Sequence, residues 1–181
     1  EAEDGPRAGP ISLPAPANHA AWPHRNGTPR HRIRHPALGA TLTEIWSAPI
    51  GAGDSRRAAI TADPVVAQGR VFTLDAAARA MAHSTSGAPL WARDLVPPAD
   101  SPGDATGGGL ALGGGRLFVT TGFGALHALD PATGRVLWTQ RFDAPVDGAP
   151  TVAGDLVYVA SRDNRAFAVR ADNGRLQWQL P

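Results

Sequence analysis

From residue 62 to residue 181, apolar and polar positions alternate in short runs separated by turn-forming residues. Such alternation marks half-buried strands, and the runs follow the same order in three successive rounds. In the first round, Asp63-Pro64-Val65-Val66-Ala67 predicts an inner strand and Gln68-Gly69 a hairpin turn. Arg70-Val71-Phe72-Thr73-Leu74, Ala80-Met81-Ala82-His83 and Leu90-Trp91-Ala92-Arg93-Asp94-Leu95 predict three more strands. The second round has Leu110–Leu112, Arg116–Thr120, Ala125–Leu129 and Val136–Gln140; the third has Pro150–Ala153, Leu156–Ala160, Arg165–Val169 and Leu176–Gln179. Phe72, Phe118 and Tyr158 hold one place in the rounds, and Ala82, Ala128 and Ala168 another. The small residues suit positions where neighbouring sheets come close.

One stretch organises each round. Ala128-Leu129-Asp130-Pro131-Ala132-Thr133-Gly134-Arg135-Val136-Leu137-Trp138 reads as a strand end, a tight turn and the next strand. Asp-Pro starts a turn, because proline presets φ and aspartate bonds the backbone ahead of it; glycine supplies a positive φ to close it. Gly134 and Trp138 recur as Gly174 and Trp178 and as Gly87 and Trp91, and Trp46 is a further, isolated copy of the tryptophan. The steps between these tryptophans fall near the ~40–45 residue period of stacked sheet repeats. Modules of this kind cannot bury their faces alone and stack on copies of themselves. The expected fold is therefore all-β: a partial β-propeller of three four-stranded antiparallel blades, near 62–95, 109–142 and 149–181. A strand over Thr41–Ile50, carrying Trp46, is expected to complete another blade.

Residues 1–40 lack this pattern. Glu1–Pro16 is rich in Ala, Gly and Pro and reads as a disordered linker. Trp22 to His35 is a basic arm with Arg25, Arg30, Arg32 and Arg34. Its histidines and arginines suggest a metal or anion site, but Pro23, Pro29 and Pro36 oppose the helix that would align ligands, and no carboxylate is interspersed. The expected arrangement is an arm laid over the surface with its cations in water. The loop from Pro97 to Asp104 reads as exposed and mobile.

Composition narrows the chemistry. The chain has 181 residues, 21 Gly and 17 Pro, which suits many tight turns, and a formal net charge of +1, which suggests no nucleic-acid partner. With no cysteine there is no disulfide or thiolate chemistry. No apolar run reaches the ~18–20 residues of a membrane span. The first residue is Glu1, so a preceding segment, such as a signal peptide, is expected to have been removed or left out.

The eleven residues Ala128–Trp138 resemble the tryptophan-docking motif A-x-D-x-x-T-G-K-x-x-W of PQQ-type β-propellers, with Arg135 for the lysine. In the third round Arg170 replaces the aspartate and Asn173 the threonine; the first is one residue shorter, with Ala88 for the lysine. The Trp22-Pro23 arm and the Asp63–Val66 opening are similar to α-proteobacterial forms of the periplasmic lipoproteins of the outer-membrane β-barrel assembly machinery. That resemblance implies an eight-bladed, non-catalytic scaffold on the periplasmic side of the outer membrane, of which this chain would be an N-terminal fragment. It implies protein partners, and membrane contact only through a lipid anchor that this chain lacks. An incomplete ring is expected to self-associate or form an open arc.

By the same resemblance Trp46, Trp91, Trp138, Trp178, Gly87, Gly134 and Gly174 are structural docking residues. Arg93, Asp94, Arg141, Asp143, Arg162 and Asp163, which lie near strand ends, are the candidate partner contacts. No catalytic, cofactor-binding or metal-binding residue is assigned. The alternative, a fragment of a PQQ-dependent dehydrogenase, needs a quinone cradle and a calcium site, whereas the acids here are scattered singly through turns. A receptor-kinase sensor domain is a third reading.

Overall fold

The computed structural model describes residues 9, 12–56 and 58–181. Among them there is no helix. Twelve strands form three four-stranded antiparallel sheets, each a simple meander. The first sheet contains β1 (Val65–Ala67), β2 (Arg70–Leu74), β3 (Arg79–Ser84) and β4 (Pro89–Asp94). The second contains β5 (Gly108–Gly113), β6 (Arg116–Thr121), β7 (Ala125–Leu129) and β8 (Val136–Arg141). The third contains β9 (Thr151–Ala153), β10 (Leu156–Ala160), β11 (Ala166–Arg170) and β12 (Leu176–Leu180). Tight two-residue turns join the first two strands of the first two sheets. Gln68-Gly69 and Gly114-Gly115 both have positive φ at each centre, the geometry that matches strand twist.

Consecutive sheets meet face to face, and each interface has its own core. Val65, Phe72, Leu74, Leu110, Leu117 and Val119 are buried between the first and second sheets. Phe118, Leu126, Val152, Val157, Phe167 and Val169 are buried between the second and third. Strand β6 divides by alternation: Leu117 and Val119 enter one core and Phe118 the other. The middle sheet is therefore buried on both faces, which is why β5 to β7 are buried almost without a break, Thr120, Thr121 and His127 included. The outer strands β4, β8 and β12 lie mostly in water.

The same bulge recurs in each sheet. Register shifts fall after Ala82, Ala128 and Ala168, between the third and fourth strands. Just before each shift the rows read Phe72–Ala82–Trp91, Phe118–Ala128–Trp138 and Tyr158–Ala168–Trp178. The two aromatic rings of each row approach over the small central alanine, with centroids 6.0, 5.8 and 6.0 Å apart. Alanine recurs there because a larger side chain would stand between the rings.

Two expectations for the N-terminal part are corrected. Thr41–Ile50 contains no strand. Leu42, Glu44 and Trp46 share a face, so no apolar alternation sustains a ladder, and Leu42 and Ile45 face solvent at 71% and 84% exposure. Trp46 and the contacts of Ala52 with the Asp75 turn hold the segment instead; Ala52 N donates to Asp75 Oδ2 at 2.8 Å. The arm, second, is not simply a surface layer, since His24 is only 2% exposed. The linker expected over the first residues falls largely outside the described residues. The 97–104 loop begins on buried Pro97 and is exposed from Pro98 to Asp104.

Candidate functional site

The seams between sheets are built from a glycine and the preceding tryptophan. At Gly87, Gly134 and Gly174 the backbone has φ of 89°, 69° and 77°, so all three adopt the left-handed conformation that glycine tolerates. A Cβ placed on Gly87 would lie 2.9 Å from the Trp46 ring; on Gly134, 2.5 Å from Trp91; on Gly174, 2.7 Å from Trp138. Each indole lies flat against a glycine turn of the following round. Its N–H then donates to a carbonyl of that turn: Trp46 Nε1 to Thr85 O at 2.9 Å, Trp91 Nε1 to Pro131 O at 3.0 Å and Trp138 Nε1 to Ala171 O at 3.2 Å. The accepting residue precedes its glycine by three in the two longer turns and by two in the shorter first one. Trp178 packs on Tyr158 of its own sheet and remains 39% exposed; no glycine turn lies against it among the described residues.

The turns keep one backbone frame on different side chains. Gly134 N donates to Asp130 O at 2.8 Å, and Gly174 N to Arg170 O at 2.9 Å. Asp130 also accepts from the N–H groups of Ala132 and Thr133, at 2.8 and 3.1 Å. Donation from Ala132 N–H is the main influence holding its carboxyl below the usual carboxylate range. Where Arg170 replaces the motif aspartate, it forks onto Asp172 through two 3.0 Å bonds, and Asn173 Oδ1 accepts from Arg175 N.

The six candidate partner residues do not form one cluster. Arg93 belongs to a seam, because its Nε donates to Gly134 O at 2.9 Å. Asp94 caps the strand end by accepting from Val96 N. Arg141, the last residue of β8, and Asp143 just beyond it are exposed. Arg162 is ion-paired with Asp147, and its N–H donates to Pro145 O at 2.9 Å, which joins the 143–147 loop to the 161–165 turn. Asp163 accepts from Ser161 Oγ and pairs with Arg165 at 3.2 Å. Arg141, Asp143, Arg162 and Asp163 thus lie on or beside one polar rim, away from the seam that Arg93 serves.

The arm also makes a three-point contact that no residue pattern signals. Val66, Leu112 and Val152 are equivalent residues on the inner edge strands β1, β5 and β9, each paired to its second strand one residue before the hairpin-proximal pair. Trp22 exchanges both backbone bonds with Val66, at 2.6 and 2.9 Å. Leu112 N donates to Pro23 O at 2.7 Å, and Val152 N donates to His24 Nε2 at 3.0 Å. Three consecutive arm residues therefore satisfy one inner-edge N–H on each sheet. A turn at Asn26-Gly27 then reverses the arm, and Arg25 pairs with Asp63 at 2.8 Å.

The histidines are committed to this architecture. Burial, reinforced by nearby His31, lowers the pKa of His24, as suits a ring that must keep Nε2 bare to accept from Val152. His31 bonds Arg25 O and Thr151 Oγ1, and His35 bonds Pro14 O. His127 bonds Thr139 Oγ1 at 3.0 Å within its own sheet. Burial first, then the Arg141 charge, pushes its pKa down to about 4. No group of three or more His, Cys, Asp or Glu residues is placed to hold a metal ion among the described residues. Replacing His24 with alanine leaves Val152 N–H buried without an acceptor, and the expected cost is about 1–3 kcal/mol in urea unfolding. Amide exchange is expected to quicken at Val152 while Val66 stays protected.

Sheets that follow one another along shared inner edges, each locked to the next by an indole on a glycine turn, define a segment of a tryptophan-docked β-propeller. The chain belongs to the family described as outer membrane protein assembly factor BamB, whose model matches residues 75–181. It is 30% identical over 148 residues to the outer membrane protein assembly factor BamB of Shewanella oneidensis, a match covering 75% of this chain and 37% of that protein. It is 33% identical over 137 residues to the quinohemoprotein alcohol dehydrogenase ADH IIB of Pseudomonas putida, covering 67% of this chain and 20% of that one. The chain thus spans about a fifth to just over a third of these relatives. The crystal structure of a quinohemoprotein alcohol dehydrogenase from Comamonas testosteroni superposes with a TM-score of 0.71 at 23% identity, over 89% of this chain and 27% of that one, which shows the fold alone.

Proposed function

We propose that this chain is a non-catalytic scaffold segment that binds partner proteins in outer-membrane β-barrel assembly, on the periplasmic side of the membrane. The observation that carries the reading is the family match over residues 75–181, together with an inner edge already occupied by the chain's own Trp22-Pro23-His24. The rim formed by the 143–147 loop and the Arg162–Asp163 turn supports it as a rigidly held polar surface, the kind of loop platform on which partners dock. The exposed Trp178 seam face supports self-association of the isolated chain, measurable by sedimentation. The test is co-purification of the full-length protein with outer-membrane assembly factors. Binding should fall on Arg162→Ala with Asp163→Ala and be indifferent to calcium chelation; binding that is unmoved by the rim changes contradicts the assignment.

The dehydrogenase reading is favoured by the 33% identity to ADH IIB. The residues present do not fit a quinone with its calcium ion. The carboxylates of Asp75, Asp130, Asp163 and Asp172 are each engaged in local turns and do not converge. Calcium-dependent dye reduction by full-length protein supplied with the quinone would establish that reading instead.

A further inference from the structure

The arm holds the three sheets by unlike chemistry. On the first sheet Trp22 exchanges both main-chain bonds with Val66, and Arg25 pairs with Asp63 just before β1. On the second, Leu112 N donates to the carbonyl of Pro23. On the third, both contacts are imidazoles. His24 Nε2 accepts from Val152 N at 3.0 Å, and His31 Nε2 lies 3.4 Å from Thr151 Oγ1.

The two rings answer a proton differently. A main-chain N–H only donates, so the bond from Val152 requires a bare His24 Nε2 and leaves the ring's proton on Nδ1. That Nδ1 is buried without a partner among the described residues. A second proton, on Nε2, would set N–H against N–H and break the contact. His31 Nδ1 donates to Arg25 O at 3.2 Å, so its bare Nε2 accepts from the Thr151 hydroxyl. A hydroxyl can turn and accept instead, so a charged His31 keeps its contact and sets a positive charge near His24.

The surroundings give a charged His24 little support. On the arm its titratable and charged neighbours are His31 and Arg25, and Arg25 is already paired with Asp63. The inner strands β1, β5 and β9 contain no titratable side chain. Burial, then His31, accordingly lowers the pKa of the seated ring. The arm is also tied to itself. Ala17 N donates to His35 O and Ala37 N to Ala17 O, both at 2.9 Å, and Thr28 Oγ1 donates to Arg32 O at 3.1 Å. It can therefore leave one sheet without unravelling.

We propose that the arm is an acid-released latch: a proton on His24 frees Val152 and lifts the arm from the third sheet, while Trp22 and Arg25 keep it hinged on the first. Release uncovers the inner edge of β9, with the Val152 N–H as an unpaired donor. The freed ring takes up a proton near its ordinary value of 6.5 and the seated ring resists it, so seating is complete above about pH 6.5 and weakens below. The inference goes beyond the scaffold reading and does not depend on it, since that reading places contacts on the 143–163 rim.

The test is amide hydrogen exchange of the whole chain, corrected for intrinsic rates, at about pH 7.5 and about pH 5.5. Proton uptake by the freed ring favours opening about tenfold more at the lower pH, less any uptake by the seated ring, so protection at Val152 should fall about five- to tenfold. Val152 should be less protected than Val66 at both pH values, because Val66 N donates to the hinge residue Trp22. His24→Gln carries an acceptor at the same reach that does not titrate, and its Val152 protection should be independent of pH. His127→Leu should leave the Val152 dependence unaltered, because lifting the arm does not free the His127 ring. Nitrogen-15 shifts of the wild-type His24 ring should show a bare Nε2 and a protonated Nδ1 at the higher pH, a check that holds even where the glutamine variant fails to seat. The opposite tautomer, Val152 protection that does not fall with acid, a fall that persists in His24→Gln or vanishes in His127→Leu, or Val152 exchanging in step with Val66 overturns the proposal.

Discussion

Gly134→Ala is expected to destabilise the protein by about 2–5 kcal/mol, more than alanine costs at a glycine of similar conformation elsewhere. Two effects combine. At φ 69° an L-residue is strained by about 1–2 kcal/mol. The new methyl would also sit 2.5 Å from the Trp91 ring, and that ring is fixed by its N–H bond to Pro131 O and by Phe72 behind it. Overpacking at such a site costs about 1–3 kcal/mol. Gly154 is the control: its φ is 60°, and nothing lies within 4 Å of the position a Cβ would take. Gly154→Ala should therefore show the backbone cost alone, about 1–2 kcal/mol. Trp91→Ala should cost about 3–5 kcal/mol by removing the ring. Gly134→Ala on that background should cost less than on wild type, because the methyl then has room. Chemical unfolding of the four variants measures this coupling. Simple additivity would mean that the indole does not bear on the glycine.

Acidification is expected to weaken the fold well above the ordinary carboxylate range. His127 has an unfolded pKa near 6.5 and a folded value of about 4, lowered first by burial and then by Arg141. Between these values the unfolded chain holds the extra proton, so stability is complete above about pH 6.5 and declines as pH falls toward 4. A displacement of this size corresponds to a loss on the order of 3 kcal/mol over that window. His24, displaced in the same direction, adds to the slope. Asp130 and Asp172, whose carboxyls are depressed, lose their contribution only at lower pH, so the interval from 6.5 to 4.5 isolates the histidines. His127→Leu should flatten most of the dependence in denaturant titrations across that interval. A slope unchanged in His127→Leu would show that the ring is not held neutral.

The parts of this architecture that were legible are those carried by residue type. A period of two, a glycine where φ must be positive and a tryptophan four residues later leave a mark in sequence, because substitutes fit badly. The strands of all three sheets could be placed from them. The contact of Trp22, Pro23 and His24 with Val66, Leu112 and Val152 leaves almost none. It is made largely by backbone groups that every residue carries, between segments far apart in the chain; only the His24 ring is specific. Arg93 looked like a rim residue because it ends a strand in an exposed run, yet it spans a seam to a carbonyl 41 positions away. Thr41–Ile50 shows the opposite failure. Its tryptophan matches the repeat, but an indole docks by itself and needs no ladder to carry it.

Trp46, Trp91 and Trp138 each lie against the glycine turn of the following round, and nuclear magnetic resonance reads that contact directly. The prediction is an upfield ring-current shift of the Gly134 Hα protons and a strong Overhauser contact from them to the Trp91 ring, repeated for Gly174 with Trp138 and Gly87 with Trp46. Overhauser contacts from Trp91 confined to Phe72 and its own sheet, with Gly134 at ordinary glycine shifts, would contradict it.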